Sequence, residues 1–153
     1  MRDEALASTE AAAPACAYRA QMLVRFGHCD PAGIVFFPRY TEMFSNLVED
    51  WCREELDLSF AEIHLERGWG LPTVHLDVDF VAPSMVGETL AATLVVRRLG
   101  TSSVHLDIVL RGPDGAHRVR GQIVLVLIDA RSRRASALPK TLRARMARFQ
   151  SES

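Results

Sequence analysis

The chain has 153 residues, of which 48% are hydrophobic and 24% are charged, a composition typical of one globular domain that buries its own core. Its formal net charge is −1, so the sequence lacks the basic character of a nucleic-acid-binding protein. The cysteines Cys16, Cys29 and Cys52 are odd in number and form no Cys-x-x-Cys motif. This pattern indicates neither a disulfide framework nor a zinc knuckle, and it suits a reducing, cytoplasmic location.

We expect residues 1–17 to be a flexible lead-in and residues 18–150 to form a single domain. The lead-in contains an Ala-x-Ala pattern, but Asp3, Glu4 and Glu10 interrupt any apolar stretch, so no signal peptide is predicted. Apolar runs elsewhere are well short of about 18 residues, so we predict neither a transmembrane helix nor a membrane partner.

A strand, a long helix and a short helix are predicted first along the chain. Residues 18–26 alternate in the manner of a strand, with every second side chain on one apolar face. Residues 38–56 repeat apolar side chains every three or four positions, which is typical of an amphipathic helix. Residues 59–70 predict a shorter helix, because Ser59 and Glu62 match a capping box.

Four further strands follow, and we predict that they succeed one another as hairpins. They cover residues 73–80, 88–99, 103–111 and 117–130, and residues 139–149 predict a final helix. Antiparallel strands beside one long helix indicate an α+β fold with a five-stranded sheet. Residues 123–128 are apolar on both faces, so we expect the final helix or another subunit to cover the second face, and we favour a homo-oligomer.

Most candidate sites compete with ordinary surface roles. The sequence contains no Walker loop, zinc-protease motif or nucleophile elbow, and its histidines lack metal-ligand spacing, so neither a metal nor a cofactor is expected. Asp77 and Asp79 share one strand face and could shift each other's pKa, although a solvated face is the commoner outcome. The arginines between positions 131 and 148 could bind phosphates of an anionic ligand or form a solvated basic tail.

The stretch HCDPAGIVFFPRY, residues 28–40, places polar residues directly before an apolar turn and the long helix. Asp30 precedes a proline and is therefore expected to be extended. Beside the unpaired N–H groups of a helix start, a carboxylate can attack a carbonyl or activate water while the N–H groups polarise that carbonyl. Capping of the helix by Asp30 is the interpretation that the residues alone favour. A Cys29 nucleophile with His28 as base is disfavoured, because adjacent extended residues point opposite ways.

The same stretch resembles the signature of the hot-dog-fold acyl-CoA thioesterases of the 4-hydroxybenzoyl-CoA thioesterase type, and the similarity extends over residues 18–130. The resemblance implies five antiparallel strands wrapped around one long helix, in a homodimer or homotetramer with active sites at subunit interfaces. It implies hydrolysis of an acyl-CoA, with an aryl-CoA such as 4-hydroxybenzoyl-CoA preferred. A short-chain aliphatic acyl-CoA, an acyl-carrier-protein substrate and a non-catalytic acyl-CoA-binding module remain alternatives.

Site residues follow from the resemblance position by position. The catalytic carboxylate falls on Asp30, as nucleophile or general base, and the carbonyl-polarising backbone N–H is that of Phe37. We expect the substrate to be bound by His28, Gly33, Ile34, Phe36, Phe44 and Ser45, and CoA by Arg97, Arg98, Thr101 and Ser102.

Three places depart from the family pattern. His28 stands where relatives often carry an acidic residue, and Ser45 replaces a helix carboxylate that serves the ring hydroxyl of 4-hydroxybenzoyl-CoA. A serine can still hydrogen-bond a polar ring substituent. Residues 100–102 stand where the family places basic residues for the CoA phosphates, which leaves Arg97 and Arg98 just upstream, and the C-terminal arginines, as candidates.

Overall fold

The computed structural model describes residues 12–152, so residues 1–11 of the predicted lead-in lie outside the described residues. Its strands are β1 (Tyr18–Leu23), β2 (Trp69–Gly70), β3 (Thr73–Phe80), β4 (Thr89–Leu99), β5 (Ser103–Arg111), β6 (His117–Val126) and β7 (Ile128–Asp129). Its helices are α1 (Arg39–Glu55) and α2 (Lys140–Ala147), with a 3₁₀ turn at Phe26–His28 and a π-helical turn at Glu62–Glu66. Within the described part of the chain, no helix is both long and apolar enough to span a membrane.

A five-stranded antiparallel sheet in the order β1-β4-β5-β6-β3 wraps around α1. This architecture confirms the predicted α+β hot-dog fold. The prediction of four successive hairpins is wrong at one point, because β3 pairs with β6 at the edge of the sheet and not with β4, the next strand in the chain. Residues 81–88 therefore cross the end of the sheet, where they hydrogen-bond the loop that contains Asp30.

Three predicted element bounds are corrected by the structure. β1 ends earlier than expected because the chain turns, and Phe26, predicted on its apolar face, is 88% exposed in the 3₁₀ turn. The strand predicted over residues 117–130 is broken at Leu127, after which β7 pairs with β2. The helix predicted over residues 59–70 is reduced to the π-helical turn, although Ser59 accepts a backbone N–H at 3.1 Å as a capping box requires.

The apolar stripe of α1 forms the core with the inner face of the sheet. Its buried side chains are Tyr40, Met43, Phe44, Leu47, Val48, Trp51 and Cys52. They belong to one cluster with alternating strand residues such as Leu106 and Ile108, which are fully buried. Gly121 on β6 lies directly against Phe44, since a Cβ atom there would come within 2.7 Å of the ring. A glycine therefore allows α1 to approach β6 this closely.

The final helix, α2, joins the core on the side of α1 and does not cover the outer face of the sheet. Arg145 and Arg148 donate to the carbonyls of Leu56 and Glu55 at 2.9 and 2.7 Å, at the C-terminal end of α1. These carbonyls have no partner within the helix, so the arginines satisfy them. The outward-facing Val124 and Val126 of β6 remain half-buried. The expectation that the final helix covers this second face is therefore not met by α2.

β3 forms one edge of the sheet and is exposed in the single chain. Its apolar side chains Val74, Leu76 and Phe80 are exposed, and Val78 is half-buried. Exposed apolar residues along an unpaired edge strand are typical of a surface that another chain covers.

Candidate functional site

Residues 28–36, named here the Asp30 hairpin, form a tight turn that presents Asp30. The N–H of Asp30 donates to the carbonyl of Ile34 at 3.0 Å, and the N–H of Gly33 donates back to the carbonyl of Asp30 at 2.9 Å. Gly33 has a φ of +78°, a left-handed conformation that favours glycine. Backbone hydrogen bonds therefore close the turn. Any residue other than glycine at position 33 would adopt this conformation only with strain.

The Asp30 side chain stabilises this turn and does not cap α1. Its Oδ1 accepts the N–H of Ala32 at 2.8 Å, whereas the N-cap of α1 is Pro38, which makes no side-chain hydrogen bond. Helix capping, the interpretation that the residues alone favoured, is therefore wrong, because the hairpin separates Asp30 from the helix start. Within residues 12–152 no group hydrogen-bonds Oδ2, so one carboxylate oxygen of this half-buried residue is available to a substrate or a water.

One backbone donor at the start of α1 is free. The N–H groups of Arg39, Tyr40 and Thr41 donate to the carbonyls of residues 36–38 and are therefore satisfied. The N–H of Phe37 lies just before this turn and has no acceptor in the described part of the chain. It lies at the positive end of the helix dipole, where a donor stabilises developing negative charge.

Residues 81–88, the support loop, hold the Asp30 hairpin against the sheet. The N–H of Val35 donates to the carbonyl of Ser84 at 2.9 Å, and the buried hydroxyl of Tyr40 donates to Ser84 Oγ at 3.1 Å. Residues 80–90 resemble the family's strand and turn into the next hairpin, but that resemblance predicted no contact between the support loop and the Asp30 hairpin. Its pairing joins segments about 50 residues apart in the chain, and such a contact leaves no local pattern.

Aromatic rings form an apolar surface beside the Asp30 hairpin, at the end of β3. The ring of Phe37 lies 5.4 Å from that of Phe36 and 6.0 Å from that of Phe80. The ring of Tyr40 lies 5.9 Å from that of Phe80. Phe36, Phe37 and Phe80 are all exposed, so the surface is open to a ligand or to another chain.

A cavity of about 280 Å³ lies between α1 and the sheet. Its lining residues are Thr41, Phe44, Ser45, Val48, Phe60, Leu71, Thr73, Leu76, Ile123 and Leu125. Two of the residues expected to bind the acyl group, Phe44 and Ser45, are therefore among them. Among the described residues, the lining is apolar apart from three hydroxyl groups and includes no charged side chain. Such a cavity suits an uncharged group that carries a hydrogen-bonding substituent.

The cavity begins one helical turn beyond Phe37, at Thr41, and extends along β3 away from the Asp30 hairpin of the same chain. Phe80, which contacts the ring of Phe37, ends the strand, and the cavity residues Leu76 and Thr73 precede it by four and seven positions. At about 3.3 Å per residue these separations are roughly 13 and 23 Å along the strand.

The residues expected to bind CoA lie at the end of the sheet opposite the Asp30 hairpin. Arg97 and Arg98 come near the end of β4, whereas the start of β4 adjoins the support loop, roughly 26 Å away at about 3.3 Å per residue. Arg97 Nε lies 3.8 Å from a carboxylate oxygen of Asp107. The carbonyls of Thr101 and Ser102 accept N–H groups from the C-terminal part of the chain. Within one chain, these four residues are therefore not brought together with Asp30.

The more conspicuous residues beside Asp30 are occupied elsewhere. Nδ1 of His28 accepts the N–H of Arg25 at 2.9 Å, and Sγ of Cys29 donates to the carbonyl of Arg25 at 3.6 Å. His28 and Cys29 therefore do not hydrogen-bond each other as a base and a nucleophile must. Burial raises the pKa of the Cys52 thiol to about 12, which keeps that thiol protonated at neutral pH.

Several of the other charged candidates have structural partners. A carboxylate oxygen of Asp79 lies 3.8 Å from the guanidinium of Arg120 on the neighbouring strand. Arg143 donates to the carbonyl of Gly100, and Arg145 and Arg148 donate to the carbonyls at the end of α1. Three of the six C-terminal arginines thus hold the α2 segment to the rest of the fold.

Known proteins are similar to this chain in both sequence and fold. The model of the Thioesterase-like superfamily matches residues 24–146, well over half of the chain. A 1,4-dihydroxy-2-naphthoyl-CoA hydrolase from Synechococcus sp. (strain WH7803) is 35% identical over 135 residues, which cover 78% of this chain and 81% of that protein.

Two solved structures resemble the whole fold. A 1,4-dihydroxy-2-naphthoyl-CoA thioesterase from Synechocystis matches with a TM-score of 0.79 and 25% identity, over 86% of this chain and 96% of its own. A thioesterase-superfamily protein from Jannaschia sp. CCS1 matches with a TM-score of 0.83 and 24% identity, over 91% of this chain and 96% of its own. Because the identity to the Jannaschia protein is only 24%, that similarity concerns the fold alone.

Proposed function

The chain belongs to the thioesterase-like superfamily and is a thioester hydrolase, and on that premise we propose that it hydrolyses aryl-CoA thioesters to a free acid and CoA. The main support is a pair of groups that, among residues 12–152, have no hydrogen-bond partner: one carboxylate oxygen of Asp30 in the hairpin and the N–H of Phe37 directly after it. Two relatives are named for 1,4-dihydroxy-2-naphthoyl-CoA, so this is the aryl substrate to test first. 4-Hydroxybenzoyl-CoA is the second.

Asp30 can serve this reaction in two ways. Its carboxylate attacks the thioester carbonyl, the C–S bond breaks with release of CoA thiolate, and water then hydrolyses the mixed anhydride. Alternatively, the carboxylate accepts a proton from a water that attacks the same carbon. In both routes negative charge develops on the carbonyl oxygen, and the Phe37 N–H stabilises it; one such donor typically contributes about 10²–10³ in rate.

The cavity beside α1 supports a hydroxylated aryl group. Ser45 and Thr41 lie one helical turn apart on α1, and Thr73 adds a third hydroxyl from β3. Thr41 Oγ1 already donates to the carbonyl of Pro38 at 2.6 Å, so the Ser45 hydroxyl is the donor we assign to the ring substituent. An acyl group that carries a carboxylate is disfavoured, because no charged side chain lines the cavity to compensate it.

We propose a homodimer formed by antiparallel pairing of two β3 edges, a homotetramer being two such pairs. The unpaired edge and the exposed Val74, Leu76 and Phe80 support this interface. Two-fold pairing aligns the end of one β3 with the start of the other. It therefore brings the Asp30 hairpin of one subunit beside the cavity of its partner, and puts the Arg97 end of the partner's sheet on the same side.

Thiol release from a panel of acyl-CoAs tests the proposal. The panel contains 1,4-dihydroxy-2-naphthoyl-CoA, 4-hydroxybenzoyl-CoA, benzoyl-CoA and butyryl-CoA. We expect hydroxylated aryl substrates to have the highest kcat/KM, and Asp30→Asn to lower kcat by about 10²–10⁴-fold. Asp50→Asn, a carboxylate on the outer side of α1, is the control and should leave kcat unchanged. Faster turnover of butyryl-CoA would assign the site to aliphatic substrates, and full activity in Asp30→Asn would remove Asp30 from the mechanism.

A further inference from the structure

The support loop is held in place by an ion pair at its own end. Arg118 Nη1 and Nη2 donate to Glu88 Oε1 and Oε2 at 3.0 and 3.1 Å, so the pair is bidentate. The same Nη1 also donates to the carbonyl of Pro83 at 2.8 Å, and Glu88 Oε1 accepts the N–H of Met85 at 2.6 Å. One ion pair thereby ties three points of the support loop to β6.

This pair is sheltered from solvent, unlike most surface ion pairs of the chain. The Arg118 side chain is 12% exposed and the Glu88 side chain 22% exposed. Hydrogen bonds from Arg118, together with the Met85 N–H, hold the pKa of the Glu88 carboxyl below its usual range. Gly112 leaves space for the guanidinium, since a Cβ atom at that position would come within 2.4 Å of it.

The support loop in turn determines where the Asp30 hairpin lies. Gly33 and Val35 of the hairpin hydrogen-bond the support loop on both sides of Met85, through Val86 N–H at 3.1 Å and Ser84 carbonyl at 2.9 Å. Ile34, between them, forms a bridge with Met85 itself. Glu88 therefore binds the N–H of Met85, the residue that pairs with the middle of the hairpin.

We propose that Glu88 and Arg118 are positioning residues, which act on catalysis by holding the support loop so that the Asp30 carboxylate keeps its reactive position. This proposal rests on the role of Asp30 in the proposed function. Neither residue needs to touch the substrate. A purely structural pair would change the stability of the protein but would not act through Asp30, and the two cases are separated by experiment.

The test uses full-length Glu88→Gln, Arg118→Lys and Gly112→Ala, each alone and combined with Asp30→Asn. Glutamine loses the charge of Glu88, lysine cannot make the bidentate contact, and the alanine methyl displaces the guanidinium while both partners remain. Arg120→Met is the matched control, since Arg120 lies on the same strand, is 20% exposed and pairs with Asp79. For each protein, kcat, KM and the unfolding temperature are measured with the best aryl-CoA substrate.

We expect Glu88→Gln and Gly112→Ala to lower kcat by roughly 10- to 100-fold with little change in KM, because a displacement of about 1 Å at a reacting group has such effects. Arg118→Lys should retain more activity, and Arg120→Met full activity. In the Asp30→Asn background the same substitutions should lower the residual kcat by less than about twofold, since residues that act as a unit are not additive. Equal losses in both backgrounds would overturn the proposal.

Amide hydrogen exchange of the free protein supplies a readout that does not depend on activity. We expect Glu88→Gln to accelerate exchange of the Val35 N–H and of the Ala32 N–H, which Asp30 Oδ1 accepts. Unchanged exchange together with unchanged kcat would overturn the positioning role. If Asp30→Asn keeps full activity, the proposed function of Asp30 fails, and the exchange rates still decide whether Glu88 and Arg118 hold the hairpin.

Discussion

Replacement of Gly121 by alanine tests the packing that places α1 on the sheet. The added Cβ would lie 2.7 Å from Cε2 and 3.0 Å from Cζ of Phe44, both well inside normal contact distance. Phe44 is 2% exposed and packed in the core, so its ring can be displaced only toward the cavity that it lines. Overpacking of this kind costs about 1–3 kcal/mol.

The net effect is smaller because alanine also restricts the unfolded chain. That restriction stabilises a protein by about 0.4–1 kcal/mol at a compatible position. We therefore expect Gly121→Ala to lower the free energy of unfolding by about 1–2 kcal/mol. For a chain of this size the corresponding fall in Tm is roughly 2–8 °C.

Denaturant and thermal unfolding measure this change directly. Gly27→Ala is the control, because a Cβ at Gly27 meets nothing within 4 Å. Phe44→Leu should relieve the clash, so the double variant should be more stable than the sum of the two single changes predicts. If Gly121→Ala is as stable as Gly27→Ala, the close approach of α1 to β6 does not depend on the glycine, and the packing argument is refuted.

Three further predictions concern the site and the interface. Ser45→Ala should lower kcat/KM for hydroxylated aryl-CoAs by about 2- to 12-fold, the equivalent of one hydrogen bond, and leave benzoyl-CoA unaffected in the same assay; an equal loss for benzoyl-CoA would contradict the assignment. Leu76→Asp should give a folded monomer in analytical ultracentrifugation with little thioesterase activity, whereas Leu65→Asp, an exposed control, should keep its assembly and its activity. Because the folded-state pKa of Glu88 lies below its ordinary value of 4.5, its stabilising contribution is present above that value and is lost as the pH falls through the folded pKa. Unfolding titrations between pH 7 and 3 should therefore show a smaller loss of stability in Glu88→Gln than in the wild type, and equal losses would contradict the ion pair's contribution.

Much of the fold was predictable from local patterns. The apolar stripe of α1 recurs every three or four residues, so its buried face and its bounds could be located to within one residue. Strand β5 follows from its alternation, and the bounds of β4 were predicted to within one residue from its apolar run and the turn after it. Residues 28–40 identified the hairpin region as the candidate site, through the resemblance of their order to a known family.

Other features depend on contacts between distant segments and were decided by the tertiary structure. Alternation predicts that β3 is a strand, but no local signal specifies its partner, which the tertiary structure shows to be β6. The same crossing puts the support loop against the Asp30 hairpin and joins it to Arg118, a residue that the sequence did not single out. Asp30 looked like a helix cap because its neighbours suit one, yet the turn at Gly33 directs its carboxylate to Ala32. Side-chain periodicity thus determined which faces are apolar, and long-range hydrogen bonds determined which polar groups are left free for chemistry.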